Sequence, residues 1–199
     1  LGRIAGATYS FDTGTDWVQI LSPDYVVVIK KDGTAHFFDI AEGNPVSIFT
    51  VTSVKDVACS NGYFYCMTTT NRLYKYDTNG LEIKNVSITT RDYLFAIEGY
   101  IYVYGGAIVY KYDDNLSKIS ENLSLPHGTY NTIKPVTYND CFVLFSRNAM
   151  IGSKPQTAIT KIDSDLNIIF TFIRGSVDVN HSHPIGVIDG FFFTYQLQI

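Results

Sequence analysis

The amino-acid sequence predicts an all-β fold built from a repeated, mostly four-stranded unit. Three observations carry this reading. Short aromatic or β-branched runs recur in pairs, and a tight-turn dipeptide splits each pair. The dipeptides fall about every 40 residues, the period of a β-propeller blade. Each hairpin is followed by a step ending in aspartate that opens another turn. The expected architecture is a five-bladed β-propeller closed by pairing of the N- and C-terminal strands.

The hairpins are justified one by one. VQILS and YVVVI flank Pro23-Asp24. VACS and YFYCM flank Asn61-Gly62, and YLFAI and YIYVY flank Glu98-Gly99. VTY and CFVLF flank Asn139-Asp140, and GVI and FFFTY flank Asp189-Gly190. Successive turns are 38, 37, 41 and 50 residues apart. Asn-Gly and Asp-Gly adopt the positive-φ turns that match the twist of paired strands.

A third strand ends at Asp12, Asp39, Asp77, Asp113 and Asp163 in phrases such as LYKYDTNG and VYKYDDN. These aspartates are expected to accept backbone N–H groups in Asx-type turns. A fourth, outer strand follows in NPVSIFTV, LEIKNVSI, NLSKISENL and LNIIFTFI, four copies against five of the other elements. Strands are termed a to d from the channel outward. The blades then span residues 16–52, 53–90, 91–126 and 127–180, with a closing blade from 181–199 plus 1–15. Residues 4–12 would supply strand c of that blade, which removes exposed sheet edges. In-phase aromatics such as Tyr74, Tyr76, Tyr102 and Tyr110 are expected to pack between blades.

Composition excludes several classes. Of 199 residues, 46% are hydrophobic and 17% charged, too apolar for a disordered chain. The net charge of −4 argues against broad binding to nucleic acid or anionic lipid. No apolar run reaches the roughly 20 residues of a membrane span. Leu1 is not methionine and no signal segment opens the chain, so a piece of a longer protein is expected. Cys59 should oppose Phe64 and Cys66 should oppose Val57, which sets the two sulfurs diagonally. Free, buried thiols are therefore expected at Cys59, Cys66 and Cys141. No nucleophile, phosphate-loop or dinucleotide motif is present, so no catalytic residue and no cofactor is assigned.

Binding residues are sought on the face where the d→a and b→c connections gather. Asp16, Asp56, Asp92, Lys134 and His183 enter strand a of successive blades. They would form a polar ring for a sugar or a cation. The segment 146–157, SRNAMIGSKPQT, reads as the one long b→c loop, with Arg147 and Asn148 as donors. His127, His181, His183 and Asp178 are the weak candidates for a metal site, although solvated loop histidines explain them as well.

The Tyr-Lys-Tyr-Asp and Asp-x-Asn-Leu phrases, in LYKYDTNGL and VYKYDDNL, resemble repeats of small bacterial and phage propellers. The short blades are similar to those of tachylectin-type lectins. They also resemble the five-bladed platform of phage tail receptor-binding proteins. That resemblance implies a non-catalytic recognition module for a glycan or cell-wall polymer, on a virion or extracellular surface. It also implies partners in neighbouring domains of a larger assembly and homo-oligomerisation through the parent protein. A small glycosidase or lyase using the mouth carboxylates, and a purely structural platform, are the alternatives.

Overall fold

A computed structural model describes residues 14–89, 92–106, 108–122, 135–138, 140–151, 154–174, 182–188 and 191–196. Among them every regular element is a β-strand. By contacts the chain divides into two compact units, Leu1–Thr90 and Arg91–Ile199.

The first unit holds two antiparallel sheets of four strands in sequence order. One contains β1 (Thr15–Ser22), β2 (Tyr25–Lys30), β3 (Ala35–Asp39) and β4 (Val46–Val51). The other contains β5 (Val54–Ser60), β6 (Tyr63–Thr68), β7 (Arg72–Tyr76) and β8 (Glu82–Ser87). The second unit repeats the plan. β9 (Tyr93–Ile97), β10 (Tyr100–Gly105), β11 (Ile108–Tyr112) and β12 (Lys118–Asn122) form one sheet. β13 (Val136–Tyr138), β14 (Cys141–Ile151), β15 (Lys154–Asp163) and β16 (Ile168–Arg174) form the next. β17 (Ser182–Ile188) and β18 (Phe191–Gln196) pair as a two-stranded sheet. This is the propeller-blade pattern expected. The proposed closing strand at residues 4–12, with Asp12, lies outside the described residues.

In all five hairpins the described strands meet on either side of the dipeptide: Ser22 pairs with Tyr25, Ser60 with Tyr63, Ile97 with Tyr100, Tyr138 with Cys141 and Ile188 with Phe191. Asn61 and Gly62 take φ of 50° and 75°, and Glu98 and Gly99 take 51° and 83°. Two consecutive positive values suit the right-handed twist of the flanking strands. The c→d aspartates behave as the sequence predicts. Asp77 Oδ1 accepts the N–H groups of Asn79 and Leu81, at 2.9 and 2.8 Å. Asp163 Oδ1 accepts those of Asp165 and Asn167, at 2.9 and 2.8 Å. Asp113 accepts from Ser117 and Asp39 from Ala41. The residue three after the aspartate is left-handed: Gly80 at 83°, Leu116 at 58° and Leu166 at 68°. Leucine carries a Cβ cost there that glycine does not, and burial of both side chains offsets it.

The cores lie between successive sheets, so the aromatics stand where expected. In the first unit Phe37 and Phe64 join Val27, Val57 and Cys66, with Tyr74 and Tyr76 packed against them. Phe37 stacks on Phe49 with centroids 4.4 Å apart. In the second unit Phe95, Tyr102 and Phe142 meet with Ile162 and Leu166. Three polar contacts fasten that seam. Tyr102 Oη donates to the Ser164 carbonyl at 2.8 Å, and Asn122 Nδ2 to the Leu166 carbonyl at 3.1 Å. Buried Lys111 places its ammonium 2.9 Å from Asp165 Oδ1 and 4.0 Å from the centre of the Tyr100 ring.

Two expectations change. Cys59 opposes Phe64 and Cys66 opposes Val57, as read, and all three thiols are free. Cys59, however, is only half-buried, because it sits two residues before the exposed Asn61 turn. Most of the segment 146–157 is strand: residues 146–151 belong to β14 and 154–157 to β15. It continues β14 and β15 as a paired ribbon, with Ala149 opposite Gln156 and Ile151 opposite Lys154. A register break between Ser146 and Ala149 interrupts the alternation that would have marked it as strand.

Candidate functional site

The b→c turn of the first blade is built locally. Lys30 N–H donates to the Thr34 carbonyl and Gly33 N–H to the Lys30 carbonyl, both at 2.9 Å. Asp32 Oδ1 accepts Thr34 N–H at 2.8 Å. The backbone and side chain of Thr34 hold the Asp32 carboxyl below its ordinary range. Gly33, at φ 80°, brings its carbonyl to the Val54 N–H of the next blade at 2.8 Å. Thr69 N–H then donates to the Ser53 carbonyl at 2.8 Å. These bonds tie the b→c turns of two adjacent blades to the d→a connection between them.

A cleft of about 380 Å³ opens on this face. Its polar walls come from Asp16, Lys30, Lys31, Asp32, Lys55 and Thr69. Trp17 also lines it, and the indole packs against the core of the same unit. The cleft therefore offers carboxylate acceptors, ammonium donors and one aromatic ring within a single concavity. This combination suits a polyhydroxylated ligand, whose hydroxyls both donate and accept while its C–H face is apolar.

The expected acidic ring is not carried through in phase. Trp17 pairs with Ile29, Asp56 with Met67 and Tyr93 with Tyr104. Each partner lies five residues beyond the second turn residue. Asp56 is thus equivalent to Trp17 and Tyr93, and Lys55 is the equivalent of Asp16 and Asp92. Asp56 stands five residues before its turn and Asp92 six, on opposite faces of their strands. An extra residue at the register break between Ile20 and Ser22 brings Asp16, seven before its turn, into line with Asp92. Asp16 and Asp92 are exposed, whereas Asp56 is 3% exposed and its Oδ1 accepts Val57 N–H at 2.8 Å.

The other candidates are placed as follows. Arg147 and Asn148 occupy the register break of β14, and His183 stands on β17 opposite Tyr195. Lys134, His127, Asp178 and His181 lie outside the described residues. No group of three His, Cys, Asp or Glu side chains suited to a metal occurs among the described residues. Lys30, Lys31 and Lys55 were not singled out in the sequence. The signal that could have found them is the KKDG turn, whose Asp-Gly pair fixes a b→c corner directly after two lysines.

No protein-family model matches the chain, and no curated protein matches it. Solved structures do. BamB from Moraxella catarrhalis is similar over 94% of this chain and 56% of its own, with a TM-score of 0.61 at 16% identity. The WD40 β-propeller domain of Doa1 is similar over 92% of this chain and 63% of its own, with a TM-score of 0.59 at 13% identity. The Neurospora crassa Pan2 WD40 domain is similar over 79% and 51%, with a TM-score of 0.57 at 13% identity. The chain thus spans between about half and two thirds of each of these structures. At such identities the likeness establishes the fold alone: the chain has the β-propeller fold.

Proposed function

We propose that this propeller is a non-catalytic recognition module that binds a glycan on a cell surface or in a cell wall. Exposure to such ligands places it on a virion or outside the cell, consistent with the resemblance to tail and lectin propellers. The observation that supports the reading is the placement of Trp17. The chain has a single tryptophan. It lines a polar cleft on the face of the b→c and d→a connections, beside Asp16 and Lys55. A partly exposed aromatic surrounded by both donors and acceptors favours stacking on a sugar ring.

The test is titration of the protein against a glycan panel, read by calorimetry and by Trp17 fluorescence. At least one cell-surface glycan is expected to bind and to change the emission. Trp17→Ala should weaken that binding roughly tenfold, the value of one good aromatic contact. No binding across the panel, or binding untouched by Trp17→Ala, would overturn the reading.

One observation favours a second role as a platform. Ile168, Ile169 and Phe170 are consecutive and 41–53% exposed on the outer strand β16. A neighbouring domain seated there would cover them. Protection of β16 amides from hydrogen exchange in the parent assembly, relative to the isolated chain, tests that role.

A further inference from the structure

Asparagine followed by glycine is the dipeptide most prone to lose ammonia, because glycine has no Cβ to shield its backbone nitrogen from the preceding side chain. The chain contains two such pairs, Asn61-Gly62 and Asn79-Gly80. Both asparagines are exposed. Exposure therefore does not separate them, and the backbone around each decides which one reacts.

Asn79-Gly80 is pinned. Gly80 N–H donates to the Asp77 carbonyl at 3.1 Å, and Asp77 N–H donates to the Leu81 carbonyl at 3.0 Å. Asp77 Oδ1 accepts the N–H groups of Asn79 and Leu81, at 2.9 and 2.8 Å. Phe49 closes the space above Gly80, where a Cβ would stand 2.5 Å from its Cγ. The nitrogen that would attack is held in a hydrogen bond, and the turn cannot deform without breaking its neighbours.

Asn61-Gly62 has none of these restraints. It is a two-residue turn bounded by the Ser60–Tyr63 pair, and no described residue accepts the Gly62 N–H. Gly62 is exposed, and a Cβ built on it would meet nothing within 4 Å.

We propose that Asn61 is a site of spontaneous modification to aspartate and isoaspartate, and that the fold protects Asn79 from the same reaction. The Gly62 nitrogen gives its proton to hydroxide and bonds to Asn61 Cγ. The Cγ–Nδ2 bond breaks, and ammonia leaves with a proton taken from water. Water then opens the five-membered imide at one carbonyl or the other, giving aspartate or isoaspartate. Nothing is oxidised or reduced. Both products add a negative charge, and isoaspartate also lengthens the turn by a methylene. A two-residue turn matches its strands at one length only. The pair next to Ser60–Tyr63 is Cys59–Phe64. Phe64 is fully buried, with its ring centre 5.0 Å from those of Tyr25 and Phe37. Isoaspartate at Asn61 thus loosens the hairpin beside the core of the first unit.

The experiment incubates the full chain at mildly acidic and at alkaline pH, folded and in urea. Conversion is read by peptide mass spectrometry and by an isoaspartate-specific methyltransferase. In the folded protein Asn61 is expected to convert roughly tenfold faster than Asn79 or more, the rate equivalent of the hydrogen bonds broken at Asn79. The conversion should be faster at alkaline pH. In urea the two sites should react at similar rates, because neither turn is held. Asn61→Gln, whose longer side chain closes a ring far more slowly, should abolish the acidic charge variant that folded wild type accumulates. Asn79 converting as fast as Asn61 in the folded protein overturns the proposal. So does an Asn61 that stays intact when folded while the unfolded chain reacts, or an acidic variant that persists in Asn61→Gln. Urea rates that differ as much as the folded rates assign the difference to neighbouring residues and overturn the protective role of the fold.

Discussion

Gly80 is where one methyl group should cost the most. It closes the β7–β8 turn at φ 83°, with its N–H donated to the Asp77 carbonyl at 3.1 Å. A Cβ at this position would stand 2.5 Å from Cγ, 2.6 Å from Cβ and 2.8 Å from Cδ1 of Phe49. Phe49 cannot simply swing aside, because one of the offended atoms is its own Cβ. Its ring is also stacked on Phe37 and lies 5.3 Å from Tyr76. The left-handed backbone costs alanine about 1–2 kcal/mol. Forcing a methyl into a filled seam costs about 1–3 kcal/mol. Stiffening of the unfolded chain returns about 0.4–1 kcal/mol. Gly80→Ala should therefore destabilise by about 2–4 kcal/mol, lowering the melting temperature by roughly 5–15 °C for a chain of this size. The assay is urea unfolding followed by circular dichroism and Trp17 fluorescence, with an unchanged m-value. In a Phe49→Gly background all three offended atoms are gone, and the same substitution should cost only the backbone share, about 1–2 kcal/mol. Equal costs in the two backgrounds would refute the seam argument, and so would a Gly80→Ala protein as stable as wild type.

Two further outcomes follow from single groups. Partial burial raises the Asp163 carboxyl, but hydrogen bonds from Asn167 and the Asp165 N–H, with the nearby Lys111 charge, outweigh it and bring the group below its ordinary value. A depressed carboxyl contributes stability that is present above its unfolded value near 3.9 and is lost as pH falls through the folded value. The stability gap between wild type and Asp163→Asn should accordingly close below about pH 4, and a gap in urea midpoint that is flat from acid to neutral pH argues against this assignment. Burial pushes the Cys66 thiol far up, with Asp56 adding to the effect, whereas Cys59 is raised by its partial burial alone. An aromatic disulfide reagent should label Cys59 in the native protein and reach Cys66 only after unfolding; equal labelling rates would contradict the packing of β6.

What could be read in the sequence was whatever a few neighbouring residues decide. Asn61-Gly62 and Glu98-Gly99 specify their turns by their own backbone preferences, and Asp77 and Asp163 reach only two to four residues along the chain. The polar ring depended on counting from those turns, and one extra residue in a strand moves a side chain to the opposite face. The break between Ile20 and Ser22 is such an extra residue, and it puts Asp16 in the place of Lys55 on the cleft, whereas Asp56, one position nearer its turn, is buried. Nothing in the local residue pattern announces such a bulge. The ribbon was hidden by the same device, since the break at Arg147 and Asn148 spoils the alternation of β14.

The seams explain how identical turns can coexist with blades that are not interchangeable. Phe49 and Lys84 stand at equivalent places on strand d, opposite Phe37 and Lys75, and Ser120 stands at the same place opposite Lys111. Where that place holds Phe49, the turn of the following blade holds Gly80. Where it holds Ser120, the turn of the following blade holds Leu166, buried with Phe95 and Phe142. Bulk is conserved across the seam but moves from one blade to its neighbour. Across these two seams the blades are thereby fitted to their neighbours, and exchanging them would create one clash and one cavity. Variation with less of that penalty is left to the b→c connections, which meet the neighbouring blade through backbone hydrogen bonds such as that of Gly33 and Val54. Lys31–Thr34 in the first blade and the β14–β15 ribbon in the fourth are such connections. A recognition site there, such as the one proposed for the cleft beside Trp17, could change while leaving the packing that holds the fold intact.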